Sequence, residues 1–328
     1  MSTLVWILRH VVLTAMAVVL PAYAQVWKPA RPVELIVGST PGGGNDRIVR
    51  AVQKILQERK IVEVPVTVVN KAGGAGSIAF AYLNQHAGDA HYIALSPVNL
   101  ITNHVTRLSQ IHHRDITPVA QILSEYTVVL VRNDSSLGSV RDLIERLRRD
   151  PGALTVSVGT ARGNGPHISL ALGLQIGGVD VKRLKTVVFQ SGGESNAALL
   201  GGHIDVVTSS ASNAMSGAAV GRLRALAISS PQRMGGMLAG IATWREQGID
   251  MVFDNWRGIV APRGLTAAQV AFWDKVFAQL AQTPEWKQVL EKQQWGNNYM
   301  ASAASRKHLD SQYELIRAAL VEIGLSKR

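Results

Sequence analysis

The sequence predicts an α/β protein of two lobes around a cleft, with the second lobe inserted into the first. Short apolar runs alternate with segments of helical periodicity along most of the chain, the rhythm of a mostly parallel sheet covered by helices. A second such unit begins near Glu125. No tandem repeat or low-complexity linker separates the units, so the crossings are expected near residues 120–126 and 228–233. Residues 25–123 and 233–328 then form lobe one, and residues 124–232 form lobe two. Two lobes joined in this way bury a small molecule by hinge closure.

Each element carries its own signal. Val33 to Val37 is a short apolar strand that runs into Pro41-Gly42-Gly43-Gly44. From about Asp46 to Arg59, the residues Ile48, Val49, Val52, Ile55 and Leu56 recur at helical spacing. Val64 to Val69 is the next strand, and Gly73-Gly74-Ala75-Gly76 opens a helix through Tyr82. His91 to Leu95 is strand-like, with a helix or loop after Pro97. In the second unit Tyr126 to Val131 is a strand, and a helix from Ser139 to Arg149 is capped by Ser139 and stopped by Pro151-Gly152. Leu154 to Val158, Thr186 to Phe189, Ile204 to Thr208, Arg224 to Ser229 and Met251 to Val260 are read as further strands. Helices follow over Thr266 to Gln282, from Thr283-Pro284-Glu285, with proline at the first helical position, and over Ser302 to Ile323.

The first 24 residues read as a leader outside the fold. Arg9 and His10 precede the ten-residue run VVLTAMAVVL, and Ala22-Tyr23-Ala24 places small residues at the −3 and −1 positions before Gln25. This is the layout of a secretory signal peptide cleaved after Ala24. Ten residues rise only ~15 Å as a helix, about half the hydrocarbon thickness, which argues against an anchor. There is no cysteine, so neither a disulfide nor a thiol-linked lipid can form. The formal charge of +11 favours anions as ligands. Nucleic acid is not expected. The basic residues are dispersed, the densest group being Arg146, Arg148 and Arg149, and no aromatic side chains interleave with them to stack on bases.

Five turns carry the chemistry: Ser39-Thr40-Pro41-Gly42-Gly43-Gly44-Asn45-Asp46, Asn70 to Ser77, Ser96-Pro97-Val98-Asn99, Ser157 to His167, and Gln190-Ser191-Gly192-Gly193-Glu194-Ser195-Asn196. Each sits at the C-terminal edge of an expected strand and the start of an expected helix, where open α/β sheets bind ligands. Glycine lets the backbone approach closely, and the helix start supplies unpaired N–H groups with a partial positive charge. One such turn is commonly a plain tight turn, but five of one polarity point to a shared anion cleft.

The motifs carry a resemblance. Pro41-Gly42-Gly43-Gly44-Asn45-Asp46 with Arg50 follows a strand-P-G-G-x-x-D-helix pattern, and Asn70 to Gly76 approaches N-x-x-G-A-x-G with its small residues shuffled. Pro151-Gly152 through His167, Gln190 through Glu194, Leu199 through Asp205, Trp244 through Ile249, Asn255-Trp256-Arg257-Gly258 and Ala261-Pro262 complete the match. In these residues the chain resembles the substrate-binding proteins of tripartite tricarboxylate transporters, often called the Bug family. The resemblance implies a two-lobed periplasmic binding fold of type II-like architecture, each lobe a mainly parallel sheet flanked by helices. It implies a monomeric periplasmic protein that binds a small mono-, di- or tricarboxylate, with a lean towards citrate-like acids, and docks on integral-membrane permease subunits. No cofactor and no metal are implied. Carried over, Thr40, Gly42, Gly43, Gly74, Ala75 and Gly76 would hold a carboxylate, and Gly159, Thr160, Asn164, Ser191, Gly192 and Gly193 would meet the rest of the ligand. Ser39, Asn45, Ser96, Asn99 and His167, from the same turns, join the candidate set. Asp46 and Asp205 match acidic positions of the family, with a structural alternative for each: Asp46 capping its own turn, and Asp205 bracing a strand. Gly44-Asn45 and Arg162 depart from the small polar residues usual there; Arg162 either meets a further carboxylate or stays solvated.

Other readings are weaker. His86, His91, His104, His112 and His113 lack the i, i+4 spacing of a helical metal site. The chain contains neither G-x-S-x-G nor G-x-x-x-x-G-K-[ST], and Ser157, Ser191 and Ser195 have no identifiable base. An enzyme is therefore not expected. A sensor component that hands a small molecule to a signalling partner is the alternative, ahead of a periplasmic hydrolase.

Overall fold

A computed structural model describes residues 27–159, 161–189, 191–214 and 221–326. The expected leader and its cleavage site, together with Thr160 and Gln190, lie outside the described residues. Among those residues no helix is long and apolar enough to cross a membrane.

In chain order the strands are β1 (Val33–Val37), β2 (Val66–Asn70), β3 (Tyr92–Pro97), β4 (Ile116–Leu123), β5 (Thr127–Arg132), β6 (Thr155–Ser157), β7 (Lys185–Val187), β8 (Val206–Ser210), β9 (Leu223–Ile228), β10 (Arg257–Pro262) and β11 (Met300–Ala301). The helices are α1 (Gly44–Glu58), α2 (Ser77–Asn84), α3 (Asn99–Val105), α4 (Val140–Arg149), α5 (Gly165–Ile176), α6 (Gly192–Leu200), α7 (Ala211–Ala214), α8 (Ala267–Gln282), α9 (Pro284–Gln293) and α10 (Ser302–Glu322). Their ends follow local chemistry. Ser139 Oγ caps α4 by accepting from the Asp142 amide at 3.1 Å, while Arg146, Arg148 and Arg149 sit in its last turn, where the helix dipole favours cations. Thr266 and Gln269 close a capping box on α8. Thr283 caps α9 with Pro284 at its first turn. The expected periodicity of α1 holds: Ile48, Val49, Val52, Ile55 and Leu56 are its buried face.

Two sheets result. The first has the order β11-β4-β10-β3-β1-β2 and the second β7-β6-β8-β5-β9. Both are mixed, which corrects the expectation of mainly parallel sheets. The pairs β1–β2, β1–β3, β6–β7 and β6–β8 are parallel, whereas β10 lies antiparallel between β3 and β4, and β5 antiparallel between β8 and β9. The strands that carry the chain between sheets cause this: it leaves the first sheet along β4 and re-enters along β10 in the opposite sense. Sequence periodicity missed β4. Pro118 interrupts its apolar pattern and demotes it as a strand, yet Pro118 pairs with Val260 beside a register shift between Ile259 and Val260.

The chain crosses out at residues 124–126, between β4 and β5, and returns to the first sheet only at Arg257, well after the expected residue 233. The intervening segment stays with the second sheet: the Ile228 amide donates to the Ala242 carbonyl at 3.0 Å and the Phe253 amide to the Ser229 carbonyl at 3.0 Å. Trp244, 1 % exposed, packs with that unit's core. The last helix, α10, serves both units. Leu309, Ile316, Ala319 and Leu320 share one buried cluster with Val98 and Ile101 on the first side and Ile168 and Leu174 on the second.

A Cβ at Gly173 in α5 would stand 2.6 Å from the Trp244 ring. Gly173→Ala is therefore expected to lower stability by about 1–2 kcal/mol, because overpacking against a fixed indole outweighs the ~1 kcal/mol helical preference of alanine. Gly240→Ala, which meets nothing within 4 Å, serves as the neutral control. Equal urea midpoints for the two variants would show that this contact does not tie residue 244 to α5.

Candidate functional site

The first two turns are locked together by one carboxylate. Asp46, 1 % exposed, lies in the first turn of α1. Its Oδ2 accepts from the Gly42 amide at 2.8 Å and from Arg50 Nε at 2.8 Å, and its Oδ1 accepts from Asn70 Nδ2 at 2.8 Å. Asn70 ends β2, and its Nδ2 also donates to the Ser39 carbonyl at 2.9 Å. The turns approach so closely that a Cβ at Gly38 would lie 2.7 Å from the Gly76 Cα. The Arg50 guanidinium, helped by Asn70 and the Gly42 amide, holds Asp46 down to about 2 against the opposing effect of burial. Asp46 thus braces its own turn and the neighbouring one.

What these braces hold in place are backbone amides. Gly43, the residue before α1, places no side-chain cap on that helix. The second turn forms a single 3-10 turn, Gly74–Gly76, with Ala75 at φ 52° and Gly76 at φ 92°. The amides of Gly74 and Ala75 have no acceptor among the described residues. The Ala75 carbonyl accepts from Asn99 Nδ2 and from Asn103 Nδ2, each at 3.0 Å, and the N–H of that peptide, Gly76's, donates to the Gly73 carbonyl at 2.9 Å, which fixes the turn. Gly42, Gly74 and Ala75 are exposed, and Ser39, Gly43 and Asn45 are partly so.

The second sheet presents two helix starts that are capped by their own residues. Asn164 Oδ1 accepts from the His167 amide at 3.0 Å, and Ser191 Oγ from the Glu194 amide at 3.2 Å. Each cap takes the amide of the third residue of its helix, which leaves the Gly165 amide at the start of α5, where Pro166 has no N–H, and the Gly192 and Gly193 amides at the start of α6. His167 braces its turn too: its Nδ1 accepts from the Gly163 amide at 2.8 Å. Burial, with Arg162 nearby, pulls this imidazole down to about 4, so it stays neutral near pH 7. Arg162 is exposed and donates to the Thr186 carbonyl at 3.3 Å.

Helix starts of both units meet at the crossovers. Arg257, at the start of β10, donates through Nε to Asn45 Oδ1 at 3.0 Å and through Nη2 to Glu125 Oε2 at 3.0 Å. Glu125 accepts from Ser212 Oγ of α7 at 2.6 Å. Asn255 stands against Gly165 at the start of α5, where an added Cβ would come within 2.4 Å of its Oδ1. Gly192, at the start of α6, packs against Asn213.

Two candidates do not join this assembly. Asp205 lies before β8, at the opposite end of the sheet from the turns, and its Oδ2 accepts from the Thr155 amide at 2.7 Å where β6 begins. It braces a strand. Ser96, 1 % exposed, points beneath α10 into a crevice shared with Trp256, Ser305 and Leu309. Thr160 lies outside the described residues. Sequence reasoning missed Glu125, Arg257, Ser212 and Asn103. The stretch Asn255-Trp256-Arg257-Gly258 was noted as a motif without a role, and the one available signal for Glu125 was a lone acid between two apolar strands.

This arrangement can be compared with known proteins. A family model described as "Tripartite tricarboxylate transporter family receptor" matches residues 48–325.

The chain belongs to that receptor family. The UPF0065 protein in the gbd 5' region of Cupriavidus necator is similar at 26% identity over 94% of this chain and 92% of its own length. The crystal structure of a TctC solute-binding protein from Polaromonas, solved with no ligand, aligns at TM-score 0.76 with 26% identity, over 90% of this chain and 99% of that one. An R. palustris protein solved with adipate aligns at TM-score 0.76 with 21% identity, over 91% of this chain and 99% of its own. The receptor family's fold is thus the α/β fold of two mixed sheets flanked by helices described above.

Two buried carboxylates of this receptor make opposite contributions with pH. Because Asp46 is held below its ordinary 3.8, its contribution is present above about pH 4 and lost as pH falls towards 2. Asp46→Asn is expected to lower stability by about 1–2 kcal/mol at pH 7, allowing for solvent around Arg50, with the deficit narrowing below pH 4. Asp254, in the segment before β10, accepts at Oδ2 from Ser124 Oγ at 2.5 Å and Asn298 Nδ2 at 3.0 Å. Burial pushes it up to about 6. Its contribution is full below the unfolded value near 4 and is lost as pH rises through 6. Asp254→Asn is expected to match the wild type at pH 4 and exceed it by about 2 kcal/mol at pH 8. Urea denaturation at pH 2.5, 4, 6 and 8 checks both: curves parallel to the wild type between pH 2.5 and 6 would contradict the Asp46 assignment, and curves parallel between pH 4 and 8 the Asp254 one.

Proposed function

We propose that the chain is a periplasmic receptor that captures a small di- or tricarboxylate between its lobes and presents it to the membrane permease of a tripartite transporter. The observation that carries this reading is an asymmetry in how helices begin. Ser139, Asn164, Ser191, Thr266 and Thr283 each cap a helix with a side-chain oxygen, while α1, α2, α3 and α10 start from Gly43, Gly76, Val98 and Ala301 with no side-chain cap. Of these four uncapped starts, those of α1 and α2 lie on the two turns fixed by Asp46. A ligand carboxylate supplies the missing oxygens, and the dipoles of the helix starts add to its binding. The overall charge of +11 raises the local concentration of such an anion. The adipate found with one neighbour of the same fold supports the ligand class. The reading of residues 1–24 as a cleaved leader supports the periplasmic setting.

The test is a thermal-shift screen of the purified protein against citrate, malate, succinate and adipate, with glucose and lysine as controls. A true ligand at 100 times its dissociation constant is expected to add about 2.7 kcal/mol of stability. A shift with none of the four acids would sink the proposal.

A further inference from the structure

The crossovers between the two sheets hold a relay of charged and polar groups that the capture of a carboxylate by backbone amides leaves without a role. Arg257 opens the returning strand β10, and its guanidinium carries five N–H groups. Nε donates to Asn45 Oδ1 at 3.0 Å, Nη1 to the carbonyls of Asn255 at 2.6 Å and Trp256 at 2.9 Å, and Nη2 to Glu125 Oε2 at 3.0 Å. Glu125 stands on the outgoing crossover. Its carboxylate also accepts from Ser212 Oγ at 2.6 Å, Asn255 Nδ2 at 3.2 Å and Trp295 Nε1 at 3.4 Å. The path Ser212–Glu125–Arg257–Asn45 therefore starts just past β8 in lobe two, touches both crossovers, and ends on the second residue of α1, inside the first ligand turn.

The two charged side chains are only 12% and 11% exposed. Separating a pair at that depth leaves each charge without compensation, so the pair has to travel together when the lobes rotate. Arg257 is also held by two carbonyls of its own strand approach, which fixes the plane of its fork. A rotation that moves Ser212 must then be absorbed by Glu125 and delivered to Asn45.

We infer that Arg257 is a positioning residue that makes the aim of the α1 amides depend on the angle between the lobes, so that ligand capture at the first turn and lobe closure become one event. This rests on the reading of the cleft as a carboxylate site. The coupling is reciprocal: a ligand that settles on α1 draws Asn45, and with it the relay, towards the closed arrangement. Lysine at residue 257 keeps a charge for Glu125 but cannot hold Asn45, Glu125 and two carbonyls in one plane.

The experiment uses the full-length mature protein with Asn45→Ala, Arg257→Lys and the double variant. The probe is whichever of citrate, malate, succinate and adipate gives the wild type its largest thermal shift. Each single substitution is expected to weaken that acid roughly ten-fold by calorimetry, the loss of one charge-assisted hydrogen bond. The double variant is expected to bind no more weakly than the weaker single, since both cut the same link. Arg257→Lys is also expected to abolish the ligand-induced contraction seen by small-angle scattering while the circular dichroism stays unchanged. A purely structural role would lower the melting temperature but leave affinity and contraction intact, and that result overturns the inference. So do single losses that multiply in the double variant. Hydrogen exchange of the amides of residues 44–48 in ligand-free protein provides a readout independent of the acid. Faster exchange there in Arg257→Lys is expected, and unchanged exchange overturns the inference. Failure of all four acids on the wild type, by contrast, counts against the carboxylate reading itself.

Discussion

In the proposed site, backbone amides hold an anion only while something keeps them pointed at it, and that task falls to the Asp46 carboxylate. Three donors converge on it from three places: the turn before its helix, the helix itself one turn on, and the end of the neighbouring strand. Burial alone would make an ionised carboxylate there costly, and the three hydrogen bonds offset that cost. The result is that two glycine-rich turns, free to adopt many conformations in isolation, are held in one. Gly38 completes the fit, because only a residue without a side chain lets the two turns touch.

The two lobes solve the same problem differently. In lobe two, Asn164 and Ser191 satisfy part of each helix start from within, and His167 holds Gly163 as a neutral acceptor. Lobe one leaves its turns α1 and α2 uncapped. In the proposed site the stronger demand for an oxygen thus lies on the α1 and α2 side, and the α5 and α6 side is the better satisfied one. This division suits a binding protein: a partly satisfied wall keeps its shape without ligand, and an unsatisfied one gains most when ligand arrives.

Much of this was legible in the residues. The period of Ile48, Val49, Val52, Ile55 and Leu56 located α1, the caps Ser139 and Thr283 located two more helices, and the glycine-rich turns located the starts of α1, α2, α5 and α6. What was not legible shares a cause: it depends on partners far away in the chain. Pro118 disguised β4, whose place is set by β10 more than a hundred residues later. The return crossing was placed too early because Trp244 and Phe253 belong to the second unit only through contacts with α5 and β9. Asp205 followed the structural one of its two readings, accepting from the Thr155 amide and so bracing a strand. Glu125 and Arg257 showed no local pattern, since their meaning lies in each other and in Asn45 and Ser212.

The placement of α10 has a consequence for the molecule as a whole. Its apolar side chains contribute to a cluster that also contains α3 from one lobe and α5 from the other. The lobes are therefore joined by a shared hydrophobic interior as well as by two strands. Closure has to slide side chains along that helix, which favours a short shearing displacement over a wide swing. The same helix couples the folding of the two halves: the cluster shared by α3 and α5 is complete only once α10 has docked, whereas the cluster around β1, α1 and α8 contains none of its residues.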